Sequence, residues 1–78
     1  MARMTRREMN ELAADREKCA ARSERNAKSG REAAADPTLS DTVRKQAATA
    51  AEFALRHAQE YREEAAALRA GRIPGEDW

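Results

Sequence analysis

Asp36-Pro37-Thr38-Leu39-Ser40-Asp41 is the one interruption between two long alanine-rich, charge-laced segments of nearly equal length, and its reading decides the fold. Pro37 has no N–H to donate and disfavours the α conformation at Asp36, so a helix arriving from the N-terminal side is predicted to stop near Ala35. The same proline suits the first position of a new helix. Three residues compete to start that helix: Asp36 as a direct cap, Thr38 with Asp41 at capping-box spacing, or Ser40. In each case the link is only a few residues long, so the two helices must lie antiparallel and in contact.

Working outward from the turn, the first segment carries two start signals at one place. Thr5-Arg6-Arg7-Glu8 has capping-box spacing, and Met4 and Met9 sit where a hydrophobic staple needs them. Residues 1–4 are then a flexible lead, and the first helix is predicted over Thr5 to Ala35. At about 100° per residue, Met9, Leu12, Cys19, Ser23, Asn26, Ala27, Gly30 and Ala34 gather within roughly a third of its circumference. Ala13, Ala20, Ala27 and Ala34 recur at every seventh position beside them. Gly30 is the weak point, since glycine costs ~1 kcal/mol relative to alanine in a helix interior. The helix formers Arg31-Glu32-Ala33-Ala34-Ala35 carry it onward.

The second helix is predicted over 41–70, with Pro37 as an alternative start. Val43, Ala47, Ala50, Ala54, Ala58, Tyr61, Ala65 and Leu68 form its apolar face. Arg69 suits the negative pole of the helix, Gly71 a left-handed cap, and Pro74 prevents resumption, leaving 71–78 as a tail that ends in Trp78. That tail reads as frayed chain or as a short docking peptide anchored by its indole. The predicted fold is all-α: an antiparallel two-helix hairpin over 5–70, with 36–40 as its turn. Its seam is expected to hold Leu12, Ala27, Ala47, Ala50, Ala54, Ala58 and Leu68, with small residues drawing the axes to the short end of the usual ~8–10 Å.

Seventy-eight residues make at most one domain, in the size range where a single core is marginal. Of the 41% hydrophobic residues, 19 are alanine, while Leu, Ile, Val and Phe together number seven. Such low bulk with 37% charge resembles a disordered composition, but alanine, glutamate and arginine are strong helix formers and the charges nearly cancel at +1. The lone Cys19 excludes an internal disulfide; with no signal-peptide pattern or membrane-length apolar run, it points to the cytoplasm and to no membrane association. Twelve arginines against three lysines, with so much alanine, fit coding by a GC-rich bacterial or phage genome.

No stretch carries a catalytic or ligand-binding signature. The phosphate-binding, dinucleotide and metalloprotease motifs are all absent, so no enzyme activity, cofactor or metal is expected. Cys19 and His57 are each nineteen residues from Thr38 and would face each other in the hairpin, a pairing that suits an activated thiol or a shared zinc. Neither has a third orienting group, and the pair reads as a small core filler beside a surface imidazole. His57-x-x-Glu60 reverses the order used by di-iron bundles, so the Glu60, Glu63 and Glu64 cluster reads as a solvated face. Asn26 and Arg16, on or beside the seam, read as register devices.

Two surfaces remain as candidates for binding. Phe53 and Leu55 project to either side of the second helix's stripe, and with His57 and Tyr61 they form an apolar flank for a partner protein or a second copy. Two alanine-packed helices bury little, so self-association into a homodimeric four-helix bundle is the expected use of that flank. The alternative is a nucleic-acid-associated regulator using Arg3, Arg7, Lys18, Arg22 and Arg25 on the outer side of the first helix. Nine basic and six acidic residues lie up to Ala35, against six and eight after it. Interspersed Glu11, Glu17 and Glu24, and the lack of any aromatic residue there to stack on bases, weigh against that alternative.

Overall fold

The computed structural model describes residues 4–73, in which two helices, α1 (Arg6–Ala34) and α2 (Asp41–Arg69), form the antiparallel hairpin. Each helix has 29 residues, and the pair measures 54 × 19 × 17 Å. The predicted boundaries agree with these to within one residue at each end, the start at Pro37 excepted.

Local hydrogen bonding explains where each helix begins. Thr5 caps α1 in the predicted capping box: its Oγ1 accepts the Glu8 N–H at 3.1 Å, and its own N–H donates to Glu8 Oε1 at 3.1 Å. In the turn, the Asp36 carboxylate accepts both the Thr38 N–H, at 2.9 Å, and the Thr38 hydroxyl, at 2.7 Å. Asp36 is thereby used within the turn and does not cap α2, the Thr38–Asp41 box does not form, and Pro37 stays outside the helix. Ser40 wins the competition, with an extended backbone and an Oγ that accepts the Val43 N–H at 3.2 Å.

The end of α2 is a Schellman turn. The Arg72 N–H reaches the Ala67 carbonyl at 2.8 Å and the Gly71 N–H reaches the Leu68 carbonyl at 3.1 Å. Gly71 adopts φ +84°, a conformation in which a Cβ is strained. Arg6 Nη1 donates to the Arg69 carbonyl at 2.9 Å, which ties the start of α1 to the end of α2 and puts a cation at the negative pole of that helix.

Both helices contribute a 3-4 heptad pattern to the seam. Ala13, Ala20 and Ala27 are buried on α1, with Met9, Arg16, Ser23, Gly30 and Ala34 half-buried between them. Ala51, Ala58, Ala65 and Leu68 are buried on α2, alternating with half-buried Ala47, Ala54 and Tyr61. Ala13, Ala65 and Leu68 cluster with Met9 and Leu12 packed against them. Stepping seven residues along each arm from Ala13 and Ala65 sets Ala20 against Ala58 and Ala27 against Ala51. Leu39, one residue beyond Thr38, is therefore the midpoint of the register.

This seam differs from the predicted one in a specific way. Ala50 is exposed and Val43 is 43% exposed, while Ala51 takes the buried position. The apolar arc of α2 is wider than one helix can cover, and backbone approach decides which half is covered. A Cβ placed on Gly30 would lie 2.9 Å from both the Ala47 carbonyl oxygen and the Ala51 Cβ. The residue that weakens α1 in isolation is what lets the two arms meet on the Ala51 side.

Candidate interaction surface

The register gives the hairpin two broad faces of opposite character. One is crossed by two bidentate ion pairs, each a seven-residue step from the other. Arg62 holds Glu24 through Nε at 3.2 Å and Nη2 at 2.5 Å, and Arg69 holds Glu17 through Nε at 3.0 Å and Nη2 at 2.6 Å. Hydrogen bonding from its arginine, with charge attraction added, holds each of these carboxyls below the ordinary glutamate value and raises the guanidinium above its own. Glu24 thus pairs across the seam with Arg62, whereas Asp41 pairs within α2 with Arg44. Beside this ladder, Leu55, Ala58, Gln59 and Ala66 line a shallow groove.

The opposite face is almost free of charge. Its α1 row is Leu12, Cys19, Asn26 and Ala33, and its α2 row is Val43, Ala50, His57 and Glu64, each row at seven-residue spacing. Arg16 is paired across the seam to Glu64 at 3.1 Å and lies 3.8 Å from the neighbouring Asp15 carboxylate, so the charges at the centre of this face are already partnered. Val43, Gln46, Ala50, Phe53 and His57 continue it as a second 3-4 stripe on α2, exposed along its whole length. A shallow hollow lined by Lys45, Gln46, Thr49, Ala50 and Phe53 lies on that stripe.

The residues expected to bind a partner divide between these surfaces. Phe53 and Leu55 are 50% and 45% exposed, but two helical steps separate them by about 200°, so they do not share a hollow. Leu55 belongs to the ion-paired face. Phe53 lies on the exposed stripe with His57, and Arg56 stands over its ring at 5.4 Å from the centroid. Tyr61 is half-buried at the margin of the seam. The apolar face expected of the second helix included Val43 and Ala50, the latter in the seam, which left both out of the flank. The signal that places them outside is the alternative heptad Ala51, Ala58, Ala65, which matches Ala13, Ala20, Ala27 step for step.

Of the cations considered for nucleic acid, Arg3 lies outside the described residues. Arg7 is exposed and paired with Glu11 at 3.1 Å. Lys18, Arg22 and Arg25 are exposed on the outer side of α1, and among the described residues no carboxylate lies within ion-pair distance of them. Cys19 is half-buried and His57 exposed, and no hydrogen bond joins them. Among the described residues no three His, Cys, Asp or Glu side chains gather as a metal site, and no helix is long and apolar enough to cross a membrane. Compared with protein-family models, curated proteins and solved structures, the chain matches none of them.

Proposed function

We propose that this protein is a non-catalytic protein–protein interaction module of the bacterial or phage cytoplasm, which self-associates through the apolar surface of α2. One observation carries the reading: among the described residues the exposed large hydrophobics Val43, Phe53 and Leu55 all belong to α2, whereas Met9 and Leu12, the large apolar side chains of α1, pack against the core. Apolar side chains left at helical spacing beside a filled seam suit another helix. Of the residues expected to bind, Phe53, His57 and Tyr61 are assigned to this contact, with Val43 and Ala50 added by their exposure, whereas Leu55 stands on the ion-paired face and is not.

The unpaired Lys18, Arg22 and Arg25 support a second reading, a nucleic-acid-associated regulator. Titration with random duplex DNA and RNA at two salt concentrations separates the two. Three phosphate contacts would lower affinity about 40-fold between 50 and 200 mM salt, following a log-log slope of about −0.9 per contact. The interaction-module reading expects no such binding and a mass above the monomer in light scattering. Steeply salt-dependent binding that disappears in a K18E/R22E/R25E variant overturns it in favour of the regulator.

A further inference from the structure

We infer that the nearly uncharged face of the hairpin, the one bearing Leu12, Cys19, Val43, Ala50, His57 and Tyr61, takes a second copy of this chain. The two copies are related by a two-fold axis that sets the open end of one hairpin against the turn end of the other. This rests on the interaction-module reading and adds to it the face and the arrangement.

Three observations carry the inference. The first is charge. One face bears Glu17, Glu24, Lys28, Arg31, Arg62 and Arg69, which would have to be stripped of water in an interface, whereas the other bears Arg16 and Glu64, already paired, with Asp15 and Glu60 at its rim. A net charge of +1 per copy gives little repulsion between copies.

The second is area. A hairpin 54 Å long and 19 Å wide presents a projected face on the order of 1,000 Å², and stable interfaces bury about 800 Å² per partner. The neutral rows run from Leu12 to Ala33 on α1 and from Val43 to Glu64 on α2, about 32 Å at ~1.5 Å per residue and so a little over half of that length. Leu55 lies on the other face and is left outside the contact.

The third is the gradient of side-chain size. Leu12, Arg16 and Tyr61 crowd the end of this face near the chain termini, and Gly30, Ala33, Ala47 and Ala50 leave the end near the turn low, with Val43 its one larger side chain. Copies stacked in the same direction would set bulk on bulk and leave a gap at the turns. The inverted two-fold arrangement sets bulk on the low region twice, and it holds the two Arg16–Glu64 pairs apart. Shape complementarity at the centre of an interface approaches that of protein interiors, and only the inverted stacking supplies it here.

The experiment combines mass measurement with placed charges and placed cysteines in the full chain. Light scattering on a sizing column is expected to give a dimer. Ala50→Glu puts a carboxylate on the neutral face of each copy and is expected to raise the dissociation constant at least about 100-fold with helicity unchanged. Leu55→Glu and Ala66→Glu, on the ion-paired face, are expected to leave the dimer intact. Alkylation of Cys19, the one thiol in the chain, is expected to slow as protein concentration rises through the dissociation constant. For the arrangement, C19S chains bearing L12C are mixed with C19S chains bearing A33C and treated with a short bismaleimide. The expected product links position 12 to position 33.

A monomeric mass at all concentrations overturns the inference and the self-association proposed above, and leaves only a module for a different protein partner. A dimer broken by Leu55→Glu or Ala66→Glu but not by Ala50→Glu overturns the choice of face, and 12-to-12 links overturn the arrangement. Salt-steep nucleic-acid binding, in contrast, overturns the module reading itself.

Discussion

Gly30→Ala separates the intrinsic preference of a helix from the contact made by two helices. Taken alone, α1 should gain ~1 kcal/mol from the substitution, because alanine is the best helix former and glycine among the worst. In the hairpin the new Cβ would stand 2.9 Å from the Ala47 carbonyl oxygen and 2.9 Å from the Ala51 Cβ, both closer than packed atoms normally come. Neither neighbour is the free end of a flexible side chain, so the arms must separate, and overpacking of this kind costs ~1–3 kcal/mol. The net effect is expected to lie between zero and a loss of about 2 kcal/mol. At ~4–8 °C per kcal/mol for a domain of this size, the melting temperature should hold or fall, by up to about 15 °C. Melts followed by circular dichroism at one fixed protomer concentration measure this, and exposed Ser29→Ala, expected within ~0.5 kcal/mol, is the control. In an Ala51→Gly background one of the two clashes is gone, so Gly30→Ala should do less harm there, with a coupling of ~0.5–3 kcal/mol. A Gly30→Ala variant that melts 4–8 °C higher, about the gain propensity alone supplies, would refute the close approach and with it the register of the seam.

Other perturbations test the rest of the fold. Leu68, the one large side chain fully buried among the described residues, should cost ~2–5 kcal/mol on truncation to alanine, read as loss of amide protection at the open end, whereas Leu55→Ala should stay within ~0.5 kcal/mol. Gly71→Ala forces a Cβ into φ +84° and should lower stability by ~1–2 kcal/mol in chemical denaturation. Acid should destabilise the hairpin. The carboxyls of Glu8, Glu17, Glu24 and Asp36 are all held below their ordinary values, by Thr5, Arg69, Arg62 and Thr38 respectively. Their contribution is therefore complete above about pH 4.5, the ordinary glutamate value, and disappears as pH falls through the lower folded values. Glu17→Gln with Glu24→Gln should flatten the melting curve against pH over that window, and an unchanged slope would show that the cross-seam pairs do not form in solution.

Much of this architecture is legible in the chain because it is local. Pro37 cannot continue a helix, Thr5 and Glu8 satisfy each other's N–H groups three residues apart, and Gly71 supplies the left-handed cap, and each of these rules needs only neighbours in sequence. The binding surface is legible only in part. Phe53 and Leu55 stand off the alanine stripe by helical spacing alone, and their exposure follows from it.

What tertiary structure alone decided is which side of each stripe became the seam. Helix α2 carries two overlapping heptad patterns, one through Val43, Ala50 and His57 and one through Ala51, Ala58 and Ala65, and its own periodicity does not rank them. The choice depends on the other arm: the alanines at 13, 20 and 27 offer a row of matching size and spacing, and Gly30 removes the Cβ that would block it. The same rotation carries Arg62 and Arg69 to Glu24 and Glu17, partners 38 and 52 residues away. By itself the sequence determined two helices, three of their four ends and a turn between them, because those follow from backbone hydrogen bonds among near neighbours. The packing of two small-residue surfaces, a matter of atoms meeting across space, determined which apolar side chains are enclosed and which are left on the surface.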